Sequence, residues 1–208
     1  AQIAWLAGLV VPQAMRAALL PILGQRRNDE AKFITSVEKS LDLCFGLLPV
    51  GLFGGGLLIH FLLPIAFPEQ YTDGSLGASA VDLFMILLIG WCLTLLATPS
   101  YTALQAGDNP WKFTIFIGLV VIFATIVGFL LIGTMANSPS RGLYGAAIAS
   151  SLSSAFLLLT SIHLARLWVI IRQRKTEFIT SIALASITCF GFITNSLLAL
   201  SGLVLFMF

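Results

Sequence analysis

The sequence predicts an all-α integral membrane protein, a six-helix transmembrane bundle, and three observations carry that prediction. Of its 208 residues 58% are hydrophobic and only 10% charged, and its mean hydropathy of +1.00 exceeds what a water-soluble core could hide. The apolar residues come in runs of about twenty or more, the length a helix needs to cross a hydrocarbon layer. A membrane β-barrel would instead alternate with period two over short segments. Finally, the basic residues fall in alternate connections between those runs.

The first predicted span covers about 2–23. Within it Gln2, Gln13 and Arg16 lie within about 60° of one another at 100° per residue, so one stripe of the helix is polar. Pro12 frees a backbone carbonyl, which is tolerated where the helix lines a cavity or packs on a neighbour. Arg16 is the only basic residue well inside a span, and a guanidinium suits a phosphate through paired hydrogen bonds. It also stands eight residues before Gly24, about 12 Å along the axis, near enough for its side chain to snorkel to the interface. Both readings stand at this point.

The connection Gly24–Ser40 mixes Arg26, Arg27, Asp29, Glu30, Lys32, Glu38 and Lys39. It fits either a short interfacial helix or a solvated link. The second span follows at about 42–66 and the third at about 80–106. In the third, Thr94, Thr98, Tyr101 and Gln105 stand at offsets of zero, four, seven and eleven and so share one face, with Pro99 among them. Such a stripe suits a water-filled path, and it also suits hydrogen bonding to a neighbouring helix, the more so for any single Thr.

The fourth span is predicted at about 113–136, the fifth at 143–170 and the sixth at 178–205. Ser150, Ser154 and Ser161 in the fifth, and Ser181, Thr188, Asn195 and Gly202 in the sixth, form small or polar seams of the kind that pack helices. Residues 178–208 are too few for two complete spans.

Nine basic residues (Arg26, Arg27, Lys32, Lys39, Lys112, Arg166, Arg172, Arg174 and Lys175) fall in the first, third and fifth connections. The second and fourth hold only Arg141. The positive-inside rule therefore puts loop 24–40 in the cytoplasm and Ala1 outside. Ala1 leads straight into apolar sequence, and Phe206, Met207 and Phe208 end the chain within an apolar run, so the sequence reads as a fragment.

No pair of carboxylates, nucleophile with a base, metal-ligand spacing or nucleotide-binding loop is evident. The expectation is a protein that is not an enzyme, has no cofactor or metal, and binds no nucleic acid, the net charge being only +2. Cys44, Cys92 and Cys189 sit in apolar runs and read as packing residues. Asp42 and Asp82 near span ends, and His60 and His163 within apolar sequence, are candidates for ion coupling, although end positions are cheap for a carboxylate.

Several segments together resemble a known family. They are Val11-Pro12-Gln13 through Leu20-Pro21-Ile22-Leu23 with its charged link, Leu47-Leu48-Pro49-Val50-Gly51-Leu52, the stretch Tyr101–Pro110, and Gly142-Leu143-Tyr144-Gly145-Ala146-Ala147-Ile148-Ala149. In this order and spacing, over about 10–170, the chain resembles the C-terminal lobe of the multidrug/oligosaccharidyl-lipid/polysaccharide exporter superfamily. The likeness is greatest to its polysaccharide and lipid-linked oligosaccharide flippases.

The resemblance implies the second lobe of a two-lobed alternating-access transporter, with the missing N-terminal lobe as its partner. It implies a bacterial cytoplasmic membrane, lipid-linked oligosaccharide as substrate, and Arg16 in a cationic cavity facing the pyrophosphate. Gln13, Thr98, Tyr101 and Gln105 are the further candidate substrate contacts. Lipid II flippases are also similar through Ala103–Pro110. Drug or cation antiporters resemble this lobe as well, yet an antiporter would be expected to carry an acidic residue well within a span, which this sequence lacks.

Overall fold

The computed structural model describes residues 2–72, 79–107, 109–135 and 139–177, together with 179–181, 183 and 187. Among them there are helices and no strands. The helices are α1 (Gln2–Arg26), α2 (Glu30–Ala66), α3 (Glu69–Thr72), α4 (Ala80–Ala106), α5 (Pro110–Met135), α6 (Pro139–Leu164) and α7 (Trp168–Gln173). Four of them, α2, α4, α5 and α6, are long and apolar enough to cross a membrane. The sixth predicted span lies outside the described residues, apart from a few positions before 188.

Helix α4 is the centre: it is largely apolar, and α1, α2 and α6 all pack against it. Its residues Leu95 to Ser100 are all buried. Helix α2 runs antiparallel to it: Trp91 occupies the space beside Gly51, and a Cβ on Gly55 would stand 3.1 Å from Leu88. Helix α6 runs parallel to α4, with Gly90 against Ser151, where a Cβ would meet the Ser151 Cα at 3.2 Å. Small residues at these crossings let the backbones approach closely. Helix α5 packs on α6, Phe123 stacking on Phe156 at 4.0 Å between ring centroids. Its other side is a wall of exposed Ile, Leu and Phe, Phe129 being 82% accessible, as expected for a helix that faces lipid.

The mixed-charge segment before the second predicted span is helical from Glu30 and continuous with the apolar part, making α2 37 residues long. That is about 56 Å at 1.5 Å per residue, well beyond a bilayer core. Two features explain the continuity. Asp29 caps the helix by accepting from the Lys32 N–H at 3.1 Å. One stripe, Val37, Leu41, Cys44, Leu48 and Leu52, stays buried across the polar-to-apolar boundary. Hydrogen bonds from Lys32 hold the Asp29 carboxyl below its ordinary pKa.

Helix α6 ends at Leu164, short of the predicted limit at 170. Arg166 adopts a left-handed conformation with φ 58°, an uncommon one for a residue other than glycine, and the chain restarts as the short α7. Leu167 and Ile170 tuck into the same apolar cluster as Val37 and Leu41. Arg174 beyond α7 pairs with Asp42 on α2 and with Glu177. The C-terminal ends of α1, α4 and α6 and the polar third of α2 therefore share one end of the bundle, and the nine basic residues of the odd connections gather there.

Proline does not break these helices. Pro99 lies within α4 and has no N–H for the carbonyl of Leu95. That carbonyl accepts instead from the Cys44 thiol at 3.3 Å, with the Met15 sulfur 3.6 Å from the same Sγ. The packing role read for Cys44 thus includes replacing a lost helical hydrogen bond.

Candidate functional site

Helices α1 and α4 bring three of the sequence-predicted residues together. Met15, Leu19 and Leu23 anchor one face of α1 in the apolar cluster, which turns Arg16, beside them, towards the C-terminal part of α4. The Arg16 Nε donates to the Gln105 side-chain carbonyl at 2.9 Å. Its guanidinium carbon stands 6.0 Å from the centroid of the Tyr101 ring, at the outer limit of a cation–π contact.

The charge balance of this site follows from that geometry. Gln105 is neutral and engages only Nε, so among the described residues neither terminal nitrogen of Arg16 has a hydrogen-bonding or acidic partner. A half-buried guanidinium without a counter-ion is costly unless water or an anion completes it. Two parallel N–H donors on a plane fixed through Nε form a fork that matches a phosphate or carboxylate edge.

Gln13 is exposed on α1, three residues before Arg16. The side chain of Gln2 lies outside the described residues. Thr98 is fully buried, and its hydroxyl donates to the Thr94 carbonyl within the same helix at 2.9 Å. Thr94 in turn faces α6, its hydroxyl 3.1 Å from that of Ser154. The polar stripe of α4 is thus divided, with Thr94 serving the α6 contact, Thr98 the interior, and Tyr101 and Gln105 the α1 side.

A second polar seam, between α4 and α6, was not apparent as a unit from the sequence. Tyr144 donates to Asp82 at 3.0 Å near one end, and Ser151 to the Ile86 carbonyl at 2.8 Å further along. Thr94 and Ser154 complete it. The serine spacing hinted at a packing seam, but nothing in the sequence pairs Tyr144 with Asp82. Trp91, which no sequence pattern marks, has its indole N–H buried with no partner among the described residues. His163 accepts a hydrogen bond from Trp168 at 3.2 Å. No cluster of metal-ligating residues occurs among the described residues.

Comparison with family models, curated proteins and solved structures finds no match.

Proposed function

We propose that the chain is a multi-pass membrane protein and the second lobe of a transporter that moves polyprenyl-pyrophosphate-linked saccharides across a bacterial cytoplasmic membrane, with loop 24–40 inside. The observation that carries the reading is Arg16, a half-buried cation held by Gln105, neither of whose terminal nitrogens has a partner among the described residues. On this reading Arg16 meets a phosphoryl group as the lobes rock, Tyr101 and Gln105 fix its plane, and Gln13 lies towards the partner lobe. The exposed apolar walls of α5 and α2 support the membrane setting. The resemblance to flippases supplies the substrate class. The lipid II branch would use the same cation on a different saccharide.

A cation antiporter fits less well. The described carboxylates lie at helix ends or in the polar third of α2, and Asp42 is already paired with Arg174. An anchoring role for Arg16 has one observation in its favour: Gln105 is the last residue but one of α4, towards the basic end of the bundle.

The test uses cells lacking the full-length gene, complemented with wild type, Arg16→Gln or Arg16→Lys, and assays which leaflet holds the lipid-linked intermediate. Arg16→Gln should cut translocation by about tenfold or more, the loss of one charge-assisted pair. Arg16→Lys, which keeps the charge but not the fork, should fall between. Unchanged translocation in both variants would leave Arg16 an interfacial anchor. Normal translocation without the gene, with altered drug or cation tolerance, would favour the antiporter.

A further inference from the structure

We infer that the elbow between α6 and α7 binds the headgroup of an anionic phospholipid, a site that rests on the membrane reading but not on the transported substrate. The elbow exists because Arg166 takes the left-handed conformation and stops α6, so that the following residues fold back against the bundle. Leu167 and Ile170 are then buried in the apolar cluster, and Arg174 is held by Asp42 and Glu177. These three positions lie on one side of the segment.

The opposite side is the one left open. Trp168 and Arg172 stand four residues apart on α7 and share a face by helical phase; Lys175 follows beyond the helix end at Gln173, Arg166 precedes it, and all four are exposed. Among the described residues no carboxylate pairs with Arg166, Arg172 or Lys175, although Arg174 between them has two. The elbow thus displays three exposed cations without a carboxylate partner among the described residues, and with them an indole that is 48% accessible, pinned by its N–H bond to His163.

The surroundings identify the occupant. On α6 the exposed stripe leading to the elbow is apolar: Leu152 and Leu159 are 45% and 55% accessible and fall at one phase with His163. Leu159 stands five residues, about 8 Å, before the end of α6 at Leu164. An acyl chain along Leu152 and Leu159 therefore brings its phosphate to the elbow that follows Leu164 and carries Arg166, Arg172 and Lys175. Trp111, 71% accessible in the first turn of α5, marks the same level from the other side, since α5 begins at the end where α4 and α6 finish. Tryptophans at a common height with cations beyond them are the features of a membrane–water boundary facing acidic lipids. A soluble protein partner would not require the apolar approach along α6.

The full chain is reconstituted in phosphatidylcholine nanodiscs carrying increasing brominated phosphatidylglycerol or, in parallel, brominated phosphatidylcholine. Quenching of Trp168 is isolated by difference from Trp168→Phe. Half-quenching is expected at about a tenfold lower fraction of phosphatidylglycerol, a conservative share of what three cations supply at an anionic surface. The triple variant R166Q/R172Q/K175Q should bring the two lipids within twofold. R27Q/K39Q/K112Q, which removes equal charge from the same end but not from the elbow, should keep the preference. Equal quenching of the wild type by both lipids would overturn the site, as would equal loss in both triple variants. Failure to enter phosphatidylcholine discs at all would overturn the membrane reading itself, whereas normal entry without lipid preference would overturn the elbow site alone.

Discussion

Gly142 and Gly145 are three residues apart on α6, and the structure gives them opposite fates on substitution. A Cβ on Gly142 would meet nothing within 4 Å, whereas one on Gly145 would stand 2.8 Å from the Leu131 carbonyl oxygen and 3.1 Å from its carbon. Ordinary contact begins near 3.4 Å, so α5 would have to retreat by roughly 0.6 Å. The obstructing atoms are helical backbone and cannot rotate aside. Overpacking of this kind costs about 1–3 kcal/mol, and replacing a helical glycine by alanine returns up to about 1 kcal/mol. Gly145→Ala should therefore lose about 0–3 kcal/mol, while Gly142→Ala gains up to about 1 kcal/mol. Reversible unfolding by SDS in mixed micelles would read the difference of about 1–3 kcal/mol. If Gly145→Ala proved as stable as Gly142→Ala, the close approach of α5 and α6 at this point would be wrong.

Other consequences can be read with the same measurement or with amide exchange. Cys44→Ala should cost about 1–2 kcal/mol by leaving the Leu95 carbonyl beneath Pro99 without a donor, and Cys44→Ser should recover most of it; equal losses would show that the thiol only fills space. In a double-mutant cycle Thr94→Val and Ser154→Ala should couple by about 0.6 kcal/mol, the usual value for such pairs between helices in lipid, and additive effects would exclude their hydrogen bond. Asp29→Ala should speed exchange at the Lys32 amide. Because Lys32 holds the folded carboxyl below its unfolded value, the cap is present above the ordinary aspartate pKa and lost as the pH falls through the lower, folded one. Asp29→Asn should keep the cap but lose that pH dependence, and acid-induced fraying that persists in Asp29→Asn would place its origin elsewhere.

The candidate site was legible in part, and the reason lies in what helical phase contains. Periodicity placed Thr94, Thr98, Tyr101 and Gln105 on one stripe of α4, because residues four and seven apart return to the same azimuth. It carried no information about which neighbour each would meet. A central helix packs on several partners, so the stripe is divided among α6, the interior and α1. Arg16 stood out because an ionised group inside an apolar run is expensive wherever it points. That its Nε is spent on Gln105, 89 positions away, required the crossing of α1 and α4.

Composition and pattern alone dictate that this chain is built of long apolar helices. Run length and the scarcity of charge are composition-level properties, and backbone groups in so apolar a chain must pair within their own segment. The sequence also dictates that the basic residues alternate between connections. Where helices end was decided by tertiary structure. The α2 stripe holds the charged segment in one helix because it is buried against neighbours. The break at Arg166 has no glycine or proline to announce it, since burial of Leu167 and Ile170 and the pairing of Arg174 with Asp42 select a conformation that local propensity disfavours. The Cys44 thiol under Pro99 belongs to the same class: a hydrogen bond lost within one helix is restored by another, 51 residues earlier in the chain.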